Sequence, residues 1–200
     1  MRLFSIIVGF AGLSAVAGAQ DLATDRSEFT RLENCEDRDP GDLAPYLQVC
    51  EGLGGREIWL PYSEHSSAMA IGHNGIDAQF DERPQLGGLD MIIGPVIDWR
   101  LAEGENEPYA AIVRYRGMTP NYNSETGEYT GGVTTNANVL VVIALREDGP
   151  VSACHIAYID AMQVPDANAR AHALAADLAA GFRCGQDPVR YVDADNPDRD

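Results

Sequence analysis

Residues 139–146 and 151–159 are two apolar runs on either side of Glu147-Asp-Gly-Pro150. Asp, Gly and Pro together make that tetrapeptide a turn, and a turn this short joins antiparallel strands. Both faces of each run are apolar, so the hairpin needs cover on two sides and belongs near the centre of a sheet. Centring the turn on Asp148-Gly149 sets Ile143 opposite Cys154, Val142 opposite His155 and Val141 opposite Ile156.

A second hairpin is read from residues 96–101 and 109–116, joined by the polar segment 102–108. Pairing Leu101 with Tyr109 places Trp99 opposite Ala111 and Ile97 opposite Val113. Most apolar side chains then share one face, as a half-buried sheet requires. Asp98, Arg100, Arg114 and Arg116 point the other way, with Ile112 among them.

Cover for the central hairpin is sought further along. Asp166 is placed to cap a helix in which Ala167, Ala171, Leu174, Leu178 and Phe182 recur at helical spacing, with Gly181 and Gly185 marking its end. The expected fold class is α+β: a mostly antiparallel, hairpin-rich sheet with this helix packed on the face of Val141, Ile143 and Ile156. A sandwich or partly closed barrel with one appended helix is the alternative. Residues 27–32 and 43–49 read as short N-terminal helices around Pro40-Gly41, and residues 56–62, 68–71 and 76–80 as short strands. The last two strands flank the turn His73-Asn-Gly75, and residues 81–89 are a loop rich in Gly and Pro.

Cys35, Cys50, Cys154 and Cys184 are the four cysteines, and none belongs to a C-x-x-C motif. That spacing argues against a thioredoxin-like centre, c-type haem attachment and the common zinc knuckles. Residues 1–19 carry an apolar run that ends in Ala17-Gly18-Ala19, which reads as a signal for export with cleavage before Gln20. In an exported chain, four cysteines are read as two disulfides, and the local pairing Cys35–Cys50 with Cys154–Cys184 is favoured. No Asn stands in an N-x-[ST] sequon, which leans toward a bacterial periplasm. The expected organisation is a signal at 1–19, one globular domain at 20–192 and a disordered acidic tail at 193–200, with no stable membrane anchor after cleavage.

All 14 basic residues are arginine. The lack of lysine excludes Schiff-base and pyridoxal chemistry, the P-loop and kinase lysines, and Ser–Lys nucleophile pairs. Against those arginines stand 31 acids, for a formal net charge of −17 at pH 7. Such a surface repels phosphate backbones, so nucleic acid is not an expected partner. Neither G-x-S-x-G nor H-E-x-x-H occurs, no cofactor is implied, and a non-catalytic binding or envelope accessory domain is the leading reading, with an envelope protein or small molecule as its partner.

Candidate site residues fall into three groups. Glu64, His65 and His73 form the one histidine locality that can supply an acid–base pair or metal ligands, and it carries the alternative of a hydrolase-like or metal-dependent enzyme. Residues 117–132 read as a long loop in which Tyr122 and Tyr129 can stack on a ligand while Asn121 and Asn123 offer hydrogen bonds; the competing reading packs the tyrosines on the loop itself. Arg100, Arg114 and Arg116 concentrate positive charge on one sheet face, where cross-strand pairing with Asp98 and other acids competes with a carboxylate-bearing ligand. His155 is expected to be a satisfied core histidine beside Val142 and Ala157, and His172 to meet solvent. The acid spacing of residues 193–200 resembles a calcium loop but lacks its glycine and closing glutamate.

Overall fold

The computed structural model describes residues 25–39, 41, 46–62, 68–72, 90–147 and 152–195. In chain order the strands are β1 (Arg26–Arg31), β2 (Glu36–Arg38), β3 (Tyr46–Glu51), β4 (Glu57–Tyr62), β5 (Ala70–Gly72), β6 (Asp90–Leu101), β7 (Ala110–Tyr122), β8 (Tyr129–Leu145), β9 (Ala153–Asp160) and β10 (Arg190–Val192). The helix α1 spans Ala167–Leu178, between β9 and β10. One sheet has the order β1-β6-β7-β8-β9-β10 and the other β2-β3-β4-β5. Every neighbouring pair is antiparallel except β9 with β10. The structure is therefore α+β with mostly antiparallel sheets.

Alternation along the strands divides the six-stranded sheet into two apolar layers. Ile97, Trp99, Val113, Tyr115, Val141 and Ile143 form one core with Cys50, Ile58, Met69 and Ile71 of the smaller sheet. Trp99 is 0% exposed at its centre, and its indole N–H donates to Thr30 Oγ1 at 2.9 Å. The opposite face carries Ile112, Leu140, Val142 and Ala144, which share a core with Ala171, Leu174 and Ala175 of α1. The parallel pair β9–β10 explains why the helix is there. Parallel neighbours cannot be joined by a tight turn, so the chain must cross over one sheet face, and α1 is that crossover. Tyr191 on β10 meets Tyr158 on β9 edge to face, with ring centroids 5.0 Å apart.

Both disulfides pair as expected, Cys35 with Cys50 and Cys154 with Cys184. The second ties the segment after α1 back to β9. In the chain-entropy account each closes a loop worth roughly 3 to 4 kcal/mol. Arg56 joins the two sheets at one end. Its guanidinium, 2% exposed, donates to Glu147 Oε1 at 2.9 Å, while burial lowers its pKa.

Several expectations are corrected. The short N-terminal helices do not form: described residues 26–31 and 46–51 are β1 and β3, and Cys35–Cys50 clamps strands. In β3, Leu47 and Val49 are buried on either side of Gln48, which is strand spacing. Trp99 does pair with Ala111 and Ile97 with Val113. In the central hairpin, by contrast, Ile143 pairs with His155 and Ala144 with Cys154, one residue out of the expected register, and a bulge between Val142 and Ile143 adds a second shift that sets Val142 opposite Ala157. Alternation along β8 turns Val141 and Ile143 toward the smaller sheet, so of the three residues expected beneath α1 only Ile156 is there, in company with Leu140 and Val142. Asp166 occupies the N-cap position with φ +52°, but its side chain makes no capping hydrogen bond.

Residues 117–122 and 129–132 continue β7 and β8, and residues 123–128 form the hairpin tip between them. Among the described residues, β6 pairs only as far as Met118 and β9 only as far as Val139, so the distal strands pair with each other alone. Gly131 and Gly132 have φ of +85° and +79°, a conformation that glycine adopts without steric cost. They sit where the strand register slips, so the glycines mark a bulge rather than a loop. Residues 73–80 and 81–89, 1–24 and 196–200 lie outside the described residues. The second short strand at 76–80, the signal and most of the tail belong to these segments. Within 193–195, the Asp195 N–H donates to Asp193 Oδ1 at 3.0 Å.

Candidate functional site

The outer face of the six-stranded sheet is only partly covered by α1. Beside the helix, β1, β6, β7 and β8 leave a cleft of about 460 Å³ lined by Phe29, Pro95, Val96, Ile112 and Leu140, with Asp98, Arg114, Arg116, Asn168 and His172 as its polar groups. The volume lies within the range of small-molecule sites, roughly 300–1,000 Å³.

A β-bulge makes room for it. Pairing between β6 and β7 slips between Ile93 and Ile97, and Gly94, Pro95 and Val96 of the slipped stretch line the cleft. A Cβ on Gly94 would stand 3.0 Å from the Arg114 backbone oxygen and 3.3 Å from the Arg114 Cβ. Only glycine allows so close an approach without displacing β7. Bulges of this kind commonly re-aim side chains at sites.

Arg114 donates to Asn138 Oδ1 at 2.5 Å and to Asn168 Oδ1 at 3.1 Å. Both acceptors are neutral amides. Arg116, two residues along the same strand, points to the same face and is exposed. Among the described residues neither arginine has a carboxylate partner. Desolvation, and then the charge of Arg116, lower the pKa of Arg114. The expected pairing of these arginines with Asp98 does not form. Asp98 Oδ2 is instead 2.7 Å from His172 Nε2, and its other oxygen is buried. His172, expected to meet solvent, is half-buried against β6.

Arg100 belongs elsewhere. It is 5% exposed, donates to Ser27 and lies 4.0 Å from Asp25. Tyr109 also donates to Asp25, and burial followed by that contact raises the phenol's pKa. This group ties β1 to the β6–β7 hairpin.

The remaining predicted residues separate. Tyr122 and Tyr129 face each other across the distal hairpin, with rings 6.0 Å apart and edge to face, and they are 59% and 60% exposed. Asn121 Oδ1 accepts from Thr134, whereas Asn123 Oδ1 accepts the N–H groups of Glu125 and Thr126 and shapes the turn. His155 is buried opposite Ile143 rather than Val142; its Nδ1 lies 2.9 Å from the Tyr158 hydroxyl, and burial pushes its pKa down to about 4. Glu64, His65 and His73 lie outside the described residues. Among the described residues no three His, Cys, Asp or Glu side chains gather as metal ligands.

Sequence reasoning missed Phe29, Asn168 and His172 as members of one site. Asn168 and His172 are four apart on α1, so their common face was a usable signal. Phe29 carried none, because its strand pairs with β6 across about seventy residues of chain. Compared with family models, curated proteins and solved structures, the chain has no match, so its functional reading stands on this geometry.

Proposed function

We propose that this chain is an exported, non-catalytic binding domain, and that the cleft between α1 and the outer sheet face is its ligand site. Two disulfides support an oxidising compartment outside the cytoplasm. The apolar run before Gln20 fits export to a periplasm, and the intact mass of the exported protein is expected to begin at Gln20. One observation carries the ligand site: Arg114 and Arg116 enter a partly apolar cleft with no carboxylate partner among the described residues, in a chain whose acids outnumber its arginines twofold. The buried Arg56 and Arg100 lie beside acids, and Arg146 is spent on the backbone oxygens of Leu145, Ala179 and Phe182, whereas Arg114 and Arg116 face the cleft.

The test is a nitrogen-15 spectrum of the mature protein, titrated with a mixed panel of anionic, cationic and neutral small molecules. Saturable shifts clustered at Ile112, Arg114, Asn168 and His172 are expected for at least one compound. A panel that leaves those residues unmoved would contradict the site. The paired tyrosines of the distal hairpin support a second contact, to an envelope protein, because Tyr122 and Tyr129 leave most of their surface open. Alanine at both positions is expected to weaken partner capture from envelope extract; capture that is unaffected would remove the hairpin from the binding surface.

A further inference from the structure

We propose that the cleft selects a carboxylate-headed amphiphile, a molecule of the fatty-acid type, with its head at Arg114 and Arg116 and its hydrocarbon body along Phe29, Val96, Ile112 and Leu140. The inference builds on the cleft being a ligand site and adds the class of ligand.

Charge selects the head. Arg114 and Arg116 occupy alternate positions of β7, so their Cα atoms are about 7 Å apart and their side chains leave the same face. Arg114 is the more buried of the two, and Arg116 stands at the exposed end. The amide oxygens of Asn138 and Asn168 orient the Arg114 guanidinium without neutralising it. Two like charges are thus held side by side, partly desolvated, and each raises the energy of the other. One carboxylate placed at both relieves that repulsion, and its planar pair of oxygens matches the guanidinium fork. The Asp98 carboxylate is held apart from both arginines, with Oδ2 at His172 and Oδ1 buried, so it does not occupy their guanidinium groups.

The protein's overall charge limits what kind of anion can approach. At −17, a polyanion is repelled in proportion to its own charge, and a single carboxylate is repelled least. Beyond about 8 Å that repulsion is screened at physiological salt, so the local pair of arginines decides the outcome for a small monoanion.

The apolar walls select the body. Phe29 is 66% exposed, the most open of the large apolar side chains described, and it stands on the edge strand directly across from Asp98. Pro95 and Val96 of the β6 bulge, with Ile112 and Leu140 on the next two strands, extend that apolar surface. A short acid such as acetate fills only the charged end. A longer chain also covers Phe29, two thirds of whose surface is open.

The test is calorimetric titration of the mature protein with octanoate, acetate, octanol and octylammonium, all below micelle-forming concentrations. Octanoate is expected to bind saturably, about tenfold or more tighter than acetate, because burying each methylene is favourable. Arg114→Gln with Arg116→Gln is expected to weaken octanoate about tenfold or more while leaving octanol unchanged. Phe29→Ala, at an exposed position that the fold does not need, should weaken octanoate and spare acetate. If octanol or octylammonium binds in the cleft as tightly as octanoate, and the arginine variants make no difference, the carboxylate assignment is overturned while the ligand site stands. Acetate binding as tightly as octanoate overturns the amphiphile. If none of the four probes binds, this inference falls; the mixed-panel spectrum then decides separately whether the cleft is a ligand site at all.

Discussion

On its inner face the six-stranded sheet carries Ile97, Trp99, Val113, Tyr115, Val141 and Ile143, packed against the smaller sheet with no charged side chain among them. On the outer face the same strands carry Asp98, Ile112, Arg114, Arg116 and Leu140, covered by α1 at one side and open at the other. The strands are shared, so propensity and pairing are the same for both faces. What differs is the demand on the side chains. The inner positions contribute to burial, whereas the outer face breaks off its apolar pattern beside the helix and places there two cations that, among the described residues, have no carboxylate partner. A face that departs from what folding requires, where local room has been made by a bulge, is where binding is expected.

If that division holds, substitutions on the two faces should have opposite consequences. Trp99→Ala removes the largest fully buried inner side chain and its bond to Thr30. It should lower the unfolding free energy by about 3–5 kcal/mol in urea titrations. A loss below about 1 kcal/mol would mean that the inner face tolerates the cavity and is not the dominant core.

Cys154→Ala with Cys184→Ala tests how firmly the outer cover is held. A closed loop spanning 30 residues is worth about 3.5 kcal/mol in the chain-entropy account. The unfolding free energy should fall by that much, and the denaturation midpoint with it. An unchanged midpoint would show that α1 stays docked through Leu174 and its neighbours alone.

His155 offers a pH test of the inner layer. Its pKa is pushed down to about 4 by burial, below the 6.5 of the unfolded chain. As pH falls from about 6.5, the unfolded chain takes up the proton first and stability is lost; the loss is complete near pH 4, at about 3 kcal/mol. Carboxylates titrate over part of the same range, so the quantity to measure is the difference between wild type and His155→Gln. That difference should shift against wild type as pH falls, and a difference independent of pH would place His155 in contact with water.

The smallest effects on stability are expected outside both cores. Arg114→Gln with Arg116→Gln, and separately Tyr122→Ala with Tyr129→Ala, should each move the unfolding free energy by no more than about 0.5 kcal/mol. A larger loss in the arginine variant would make those side chains part of the packing and erase the contrast between the faces.

The faces were partly legible in the sequence. A segment of seven residues joins 101 to 109, so little freedom remained, and the pairing of Ile97 with Val113 followed from alternation. The cysteine pairing followed from export and proximity along the chain. The bulge between Val142 and Ile143 was not legible, because both faces there are apolar and a shift by one residue leaves the pattern unchanged. β1 and β3 were misread as helices for lack of local length: six residues carry too little periodicity to separate the two. The distal hairpin was hidden by Gly131, Gly132 and Asn123, turn formers by composition that serve here as a bulge and a hairpin tip. The cleft itself depended on three long-range events, namely the β1–β6 pairing, the β6 bulge and the crossover of α1. None of these leaves a local mark, although the arginines sharing a face with Asp98 could be read directly.

The most direct test of the division between the faces is a crystal structure of the protein grown with octanoate. The account predicts carboxylate density within hydrogen-bonding distance of Arg114 and Arg116, at about 2.7–3.2 Å, with the chain lying over Phe29. It also predicts an inner core unchanged from the structure described. A cleft closed by the protein's own acids upon Arg114 and Arg116, or octanoate bound only at other surfaces, would contradict it.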